Sequence, residues 1–435
     1  MPLANCHVVS SNWRRCDLIR AVLYAGDEGY IKPGGKVPEC MLKQQARKAL
    51  PRRSVSTTAA PPLPPASGAA HLTTRRLISL HGPDSPKFLQ GLITNNVLTP
   101  PARQGSFYAA FLTGQGRVVV DVFVYPTQGS QWHGQAYGDG EPGYLLEVDA
   151  NEVDVLAKHI KKHKLRSKFK MRVLEEGEMG VWSSWREEER WTAHPSQDSN
   201  QSTSEEGYLS ATDARAPGMG TRLLLPSSSQ SGSGLPAELE LEEAPLSAYT
   251  IRRYLRGVPE GQKEFVREES LPMNLNVDLM GGIDFKKGCY TGQELTIRTH
   301  HTGVVRRRVL PVVLQPRGEE GGVDLAYDCS GAELVDSVLG SGNVGLGEGE
   351  IRRDDERKRP TGKLIARMGN VGLGLCRLEQ MSDLSVSGEG SSYSSDDKFM
   401  VRAKEGDDAV AVKAFMPDWI RGRLRGPKVQ KRVET

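Results

Sequence analysis

The chain has 435 residues, 37% hydrophobic and 6% aromatic, with 47 glycines and 26 prolines, too lean to pack throughout its length, so unpacked segments must dilute a smaller core. The net charge of +3 is uneven: residues 1–83 hold twelve Lys/Arg and four acids, leaving 45 basic against 50 acidic residues beyond. A slightly acidic body excludes a nucleic-acid binder, and the lack of any apolar run near the roughly 18 to 20 residues of a membrane helix excludes integral membrane association.

Residues 1–70 read as a disordered N-terminal region carrying a mitochondrial presequence. From Met41 the chain runs MLKQQARKALPRRSVSTTAAPPLPPASGAA, with Lys43, Arg47, Lys48, Arg52 and Arg53, spaced leucines, hydroxyl residues and no acid. The membrane potential draws in such a positive amphipathic segment. Asp17, Asp27, Glu28 and Glu39 spoil the same pattern in residues 1–40, so Met41 is expected to be the physiological start. Cys6, Cys16, Cys40, Cys289, Cys329 and Cys376 form no CxxC or paired pattern, which suits a reducing compartment.

Residues 71–303 mix strands with helices. RRLISL (75–80) predicts a strand. In GPDSPKFLQGLITNNV (82–97) Asp84 is the expected helix cap, with Pro86 in the first turn. Strands follow at 106–112, 117–125 and 144–148, then a helix over 151–163 capped by Asn151, a strand at 221–226 and a helix over 245–257 ended by Gly257. Residues 183–211 and 226–240 are polar and aperiodic, and read as insertions. From 304 to 420 short strands recur with no helix between them, predicting a small closed β-barrel interrupted by insertions 316–360 and 380–397. Residues 421–435 form a basic tail. The fold class is α+β.

The chemistry concentrates in GGIDFKKGCYTGQELTIRTHHTG (281–303). Thr291 and Glu294 have capping-box spacing for a helix starting there. Cys289 precedes that helix and follows Lys286 and Lys287, an environment that favours a thiolate. The competing reading is a buried cysteine filling a tight glycine-rich turn. His300 and His301 point to different faces and lack companions at ligand spacing, so a closed metal site is not expected. Arg306–Arg308 suit either an anion or acidic partner, or merely an exposed charged strand. GSGNVG (340–345) lacks the flanking strand and helix of a dinucleotide site.

The run KKGCYTGQE (286–294), preceded by GGIDF, resembles the signature of the bacterial folate-binding protein YgfZ and its mitochondrial relatives, the iron–sulfur cluster assembly factors. GPDSPKFLQGLITNNV (82–97), RRYLRGVPEG (252–261) and GNVGLGLCR (369–377) resemble further segments of that family in order, and the likeness spans roughly 72–420. The resemblance implies an aminomethyltransferase-like folate-binding body followed by a C-terminal β-barrel. It also implies a mitochondrial matrix location and late maturation of 4Fe–4S proteins such as aconitase, lipoate synthase and radical enzymes, alongside A-type scaffold proteins. The signature residues carried over are Lys287, Gly288, Cys289, Tyr290, Gly292, Gln293 and Glu294. Cys289 is the expected contact to an iron–sulfur cluster shared transiently with a partner. Asp121 and Arg253 are the expected contacts to tetrahydrofolate. Aminomethyltransferases carry a paired-acid strand where this chain has GRVVVDVFVY (116–125), with Val120 in place of the first acid, and Arg222 lies in the strand where they carry a glutamate. Those losses argue against catalytic turnover. The alternatives are a folate-dependent aminomethyltransferase and a cluster-independent interaction protein.

Overall fold

The computed structural model describes residues 60–424 except 99–104, 139, 190–200, 204–206, 227–234, 319–323, 341–348, 355–358, 388–389 and 403–407. Met41, most of the presequence, the first three cysteines and most of GSGNVG lie outside the described residues. In chain order the body contains β1 (Ser67–His71), β2 (Arg75–His81), α1 (Ser85–Leu92), β3 (Phe107–Leu112), β4 (Val118–Pro126), α2 (Gln131–Tyr137) and β5 (Gly143–Asp149). It continues with α3 (Val153–Lys164), β6 (Lys170–Val173), β7 (Met179–Arg186), β8 (Gln201–Thr203), β9 (Leu209–Thr212), β10 (Thr221–Pro226), α4 (Leu246–Arg256) and α5 (Gln293–Thr302). The C-terminal part holds β11 (Arg307–Pro316), α6 (Cys329–Leu339), β12 (Gly349–Arg353), β13 (Gly362–Met368), β14 (Val371–Arg377), α7 (Leu378–Met381), β15 (Phe399–Arg402), β16 (Ala409–Ala414) and α8 (Asp418–Arg423).

The body has two five-stranded sheets, ordered β1-β7-β10-β9-β8 and β3-β4-β5-β2-β6. In the second sheet, β4 is buried on both faces. A register shift beside Phe111 sets its alternation. Val120, Val122 and Val124 pack with Phe88 and Leu89 of α1 and with Leu156 and Ile160 of α3. Phe123 and Tyr125 face the main core with Tyr249 and Tyr254 of α4. Asp121 shares that parity, so the alternation carries a carboxylate into the interior. The barrel closes in the order β11-β14-β13-β12-β15-β16, and its apolar side chains are continuous with the main core.

Several local expectations change. Asp84 does not cap α1; its Oδ2 accepts the Lys168 N–H at 2.6 Å. Asp149, rather than Asn151, opens the α3 segment, accepting the Asn151 N–H and starting a single tight turn before Val153. The barrel carries three short helices where none was expected. Asp328 caps α6 by accepting from Ser330 and Gly331, while the helix buries only Ala332 and Val335, too thin an apolar stripe to stand out in a polar, glycine-rich stretch. The supposed insertions also contribute β8, β12 and parts of β7 and β9, because strand pairing supplies order that composition does not reveal. The basic tail begins inside α8, whose Trp419 and Ile420 are buried. The fold starts ahead of residue 71, with Pro61 O accepting from Tyr327 and Pro65 O from Trp185.

Candidate functional site

Two sequence segments about 190 residues apart build one site. The loop before α5 lies on the C-terminal end of α1 and the turn after it. Thr94 Oγ1 donates to Gly282 O at 2.6 Å, Asn95 Nδ2 to Gly281 O at 2.8 Å, and Asp284 N to Thr94 O at 3.0 Å. Lys287 then reaches inward. Its Nζ donates to the carbonyls of Gln90, Ile93 and Asn95 at 2.8, 2.6 and 2.9 Å. These acceptors include the free carbonyl end of a helix, where a cation is favoured. Burial pulls the Lys287 ammonium down to about 7, with Asp284 opposing. The Tyr290 ring is buried 4.8 Å from that Nζ. Lys287 therefore anchors the loop instead of spending its charge on the neighbouring cysteine.

Gly292 fixes the other end. Its φ is +79°, and a Cβ there would lie 2.2 Å from Thr113 O. The β3–β4 turn also approaches from Gly116, likewise at φ +79°, where a Cβ would lie 2.9 Å from Gly292 O. The expected capping box does not form: Gly292 precedes α5 in a left-handed conformation, the Thr291 hydroxyl donates to Gly91 O at 3.5 Å, and Glu294 is exposed. Gln293 instead turns back, its Oε1 accepting the Tyr290 N–H at 3.2 Å. Nothing in the structure requires glycine at 288, where a Cβ would meet open space.

Between these anchors Cys289 is exposed, which removes the reading of a buried filler. His300 stacks on Phe285 at 3.4 Å with His301 edge-on beside it. Among the described residues, no group of three or more His, Cys, Asp or Glu is placed to hold a metal ion. Arg308 is buried and paired with Asp278 at 2.5 Å, whereas Arg306 and Arg307 are exposed. An exposed thiol on a pinned loop can contribute one ligand to a metal or cluster and leaves the remaining positions to another molecule.

Asp121 and Arg253 belong to a different constellation, a buried cluster of four arginines and five carboxylates. Arg75 pairs with Glu147 at 2.8 Å and Asp121 at 3.5 Å. Arg215 pairs with Asp213 at 2.7 Å and Glu260 at 2.8 Å. Arg222 contacts Glu260 and donates to Tyr249 at 2.7 Å, and Arg253 holds Glu264 through two bonds of 2.8 and 2.9 Å. Burial would raise Glu260, but Arg222, Arg215, Arg75 and Arg253 outweigh it and hold the carboxyl well below its ordinary range. Asp121 moves the other way: burial, reinforced by Glu260, raises it despite Arg75.

This interior does not fit the expected folate contacts. Asp121 is 2% exposed; its Oδ1 accepts the Gly261 N–H at 3.1 Å and its Oδ2 meets Arg75 and the Tyr108 hydroxyl. Arg253 Nη1 also donates to Val258 O, and its Nε faces Glu260 at 3.9 Å. Both residues are turned toward protein partners and almost wholly buried, which does not suit contacts to a pterin entering from solvent. Sequence reasoning missed Arg75, Glu147, Arg215, Asp213, Glu260 and Glu264. For Glu147 the signal is a lone charge inside an apolar strand, YLLEV, which strand periodicity alone treats as an exposed position; Asp213, Arg215 and Glu260 lie in loops and carry no such mark.

Comparison with known proteins adds the following. A family model described as "CAF17, C-terminal beta-barrel domain" matches residues 306–422, the segment that forms the barrel. The chain is 43% identical over 400 residues to a protein of Aspergillus oryzae named "Iron-sulfur cluster assembly factor IBA57 homolog, mitochondrial", covering 87% of this chain and 88% of that one. Proteins with the same name are 45% identical in Aspergillus fumigatus, over 85% of each chain, and 42% identical in Coccidioides immitis, over 90% of this chain and 92% of that one. The fold is similar to that of the glycine cleavage system aminomethyltransferase T of Bartonella henselae, with a TM-score of 0.52 at 12% identity over 84% of this chain and 88% of that one.

Proposed function

The chain belongs to the IBA57 family of mitochondrial iron–sulfur cluster assembly factors, and from that premise we propose that it offers Cys289 as one thiolate ligand to a cluster held mainly by an A-type scaffold protein. The setting is the mitochondrial matrix, and the step is late maturation of 4Fe–4S proteins. The observation that carries this reading is the exposed Cys289 on a loop fixed beneath by Lys287 and at its end by Gly292. A ligand contributed to a shared cluster must be accessible, yet held in place so that the encounter does not have to order it. The cluster here is cargo, and a single donor lets it pass on.

The same reading assigns no turnover. A methylene transfer needs an acid–base group aimed at a bound pterin, and the candidate that the sequence offers, Asp121, is buried and occupied by Arg75, Tyr108 and Gly261. Depletion of the protein followed by rescue with wild type or Cys289→Ser tests the proposal. Rescue by wild type alone, with 4Fe–4S enzymes lost and 2Fe–2S enzymes kept in the variant, is the expected result. Full rescue by Cys289→Ser contradicts it.

A further inference from the structure

On the far side of the second sheet, the acidic body carries a dense cationic surface. Residues 155–174 contain eight Lys/Arg and no acid. Lys158, Lys161 and Lys162 are exposed on α3 at the spacing of one helical face, and the same face continues to Leu165. Arg166, Lys168 and Lys170 follow along the loop and onto β6, the edge strand, with Lys87 of α1 beside them. Two nearby acids are already engaged, Asp84 accepting the Lys168 N–H and Glu178 pairing with Arg172, while Asp154 stands exposed one turn ahead of Lys158 on α3.

Leu165 stands at the tip of this surface, 89% exposed, the most exposed large apolar side chain among the described residues. Its φ is +44°, a conformation that glycine adopts freely and a leucine only under strain. The tip is built firmly. Ser167 N donates to Lys164 O at 2.8 Å, Asp84 holds Lys168, and Phe169 is buried against Phe88 with ring centroids 4.6 Å apart. A shallow cleft lined by Asp84, Lys87, Phe88 and Leu165 opens alongside.

Simpler roles account for only part of this. Lysines on an edge strand block strand pairing, and cations in the last turn of α3 suit its dipole. Neither role calls for a cation stripe extending back to Lys158, or for a strained leucine facing water where glycine would relax the backbone. An acidic protein face would use the charges but gain little from one projecting leucine. An anionic bilayer uses both: headgroup phosphates attract the cations, and an apolar tip enters the interfacial layer.

We propose that the α3–β6 surface docks the protein on an anionic membrane, with Leu165 as the inserting residue. The test is vesicle flotation of the full chain with equimolar phosphatidylcholine and phosphatidylglycerol, against phosphatidylcholine alone. Wild type, Leu165→Asp, Leu165→Gly and the pair Lys161→Glu with Lys162→Glu all share the same basic N-terminus, so differences between them report on the patch. Wild type is expected to float with the anionic vesicles only. Leu165→Asp and the double charge reversal are each expected to lower the bound fraction about tenfold or more. Leu165→Gly is expected to bind less while melting at the same temperature or higher. Equal flotation of all four proteins overturns the proposal. So does loss in the charge reversal with full binding by Leu165→Asp, which would point to an acidic protein surface.

Discussion

The buried arginine–carboxylate cluster and the Cys289 loop are both rich in reactive residue types, yet they are built in opposite ways. In the cluster, every ionised group faces a protein partner of opposite charge, and Asp121, Glu147, Asp213 and Arg222 are at most 2% exposed. In the loop the ionisable anchor, Lys287, is turned inward, and Cys289 is left facing solvent. Charge that is fully paired inside a protein specifies its architecture; a donor kept outside by inward-facing anchors is available to another molecule. On that contrast the buried cluster is architecture, while the loop leaves its thiol open to solvent.

The contrast makes graded predictions. Glu260→Gln should have the largest effect on stability, about 3 to 5 kcal/mol in urea unfolding, because it leaves Arg215 and Arg222 without a shared counter-charge. The cluster also sets an acid limit. Glu260 and Asp213 are held below their ordinary range, so their stabilisation is fully present above the unfolded carboxylate pKa and is lost as pH falls through the folded values. Urea midpoints should therefore drop steeply below about pH 4, and less steeply in Glu260→Gln. Asp121, held above its ordinary range, works in the opposite sense and its ionisation lowers stability as pH rises through its folded pKa.

Gly292→Ala should cost about 2 to 4 kcal/mol, since the methyl would meet Thr113 O at a backbone conformation already unfavourable to it. Lys287→Met should cost about 1 to 3 kcal/mol by leaving three carbonyls without their donor, and should raise hydrogen exchange in the 286–292 loop. Cys289→Ser should change stability least, within about 0.5 kcal/mol. A large loss of stability in that last variant would erase the distinction between the two regions.

Much of this was legible in the sequence. β2, β3, β4, β5, β10 and α4 carry continuous apolar runs or a glycine stop, so periodicity located them, and the signature run marked the Cys289 loop. The roles inside the loop were less legible. Lys287 lies two residues before Cys289, and proximity in sequence suggested that it tunes the thiol; only the tertiary packing of α1 beneath the loop reveals where its ammonium goes. Thr291 and Glu294 likewise match a local capping pattern that the close approach of Gly116 overrides. Asp121 drew attention only as the counterpart of an acid in the aminomethyltransferase strand; its partner Arg75 comes from β2, and Gly261 follows α4, pairings that no local pattern encodes. Small helices such as α6 were hidden for the same reason, being stabilised by the barrel they cover.

The central claim is that Cys289 contributes directly to a cluster shared with a scaffold. Visible circular dichroism of a cluster-loaded A-type scaffold protein, titrated with the wild-type chain and with Cys289→Ser, tests it most directly. A saturating spectral change with wild type that is absent with the folded variant is the predicted result; the same change with both proteins would contradict the account.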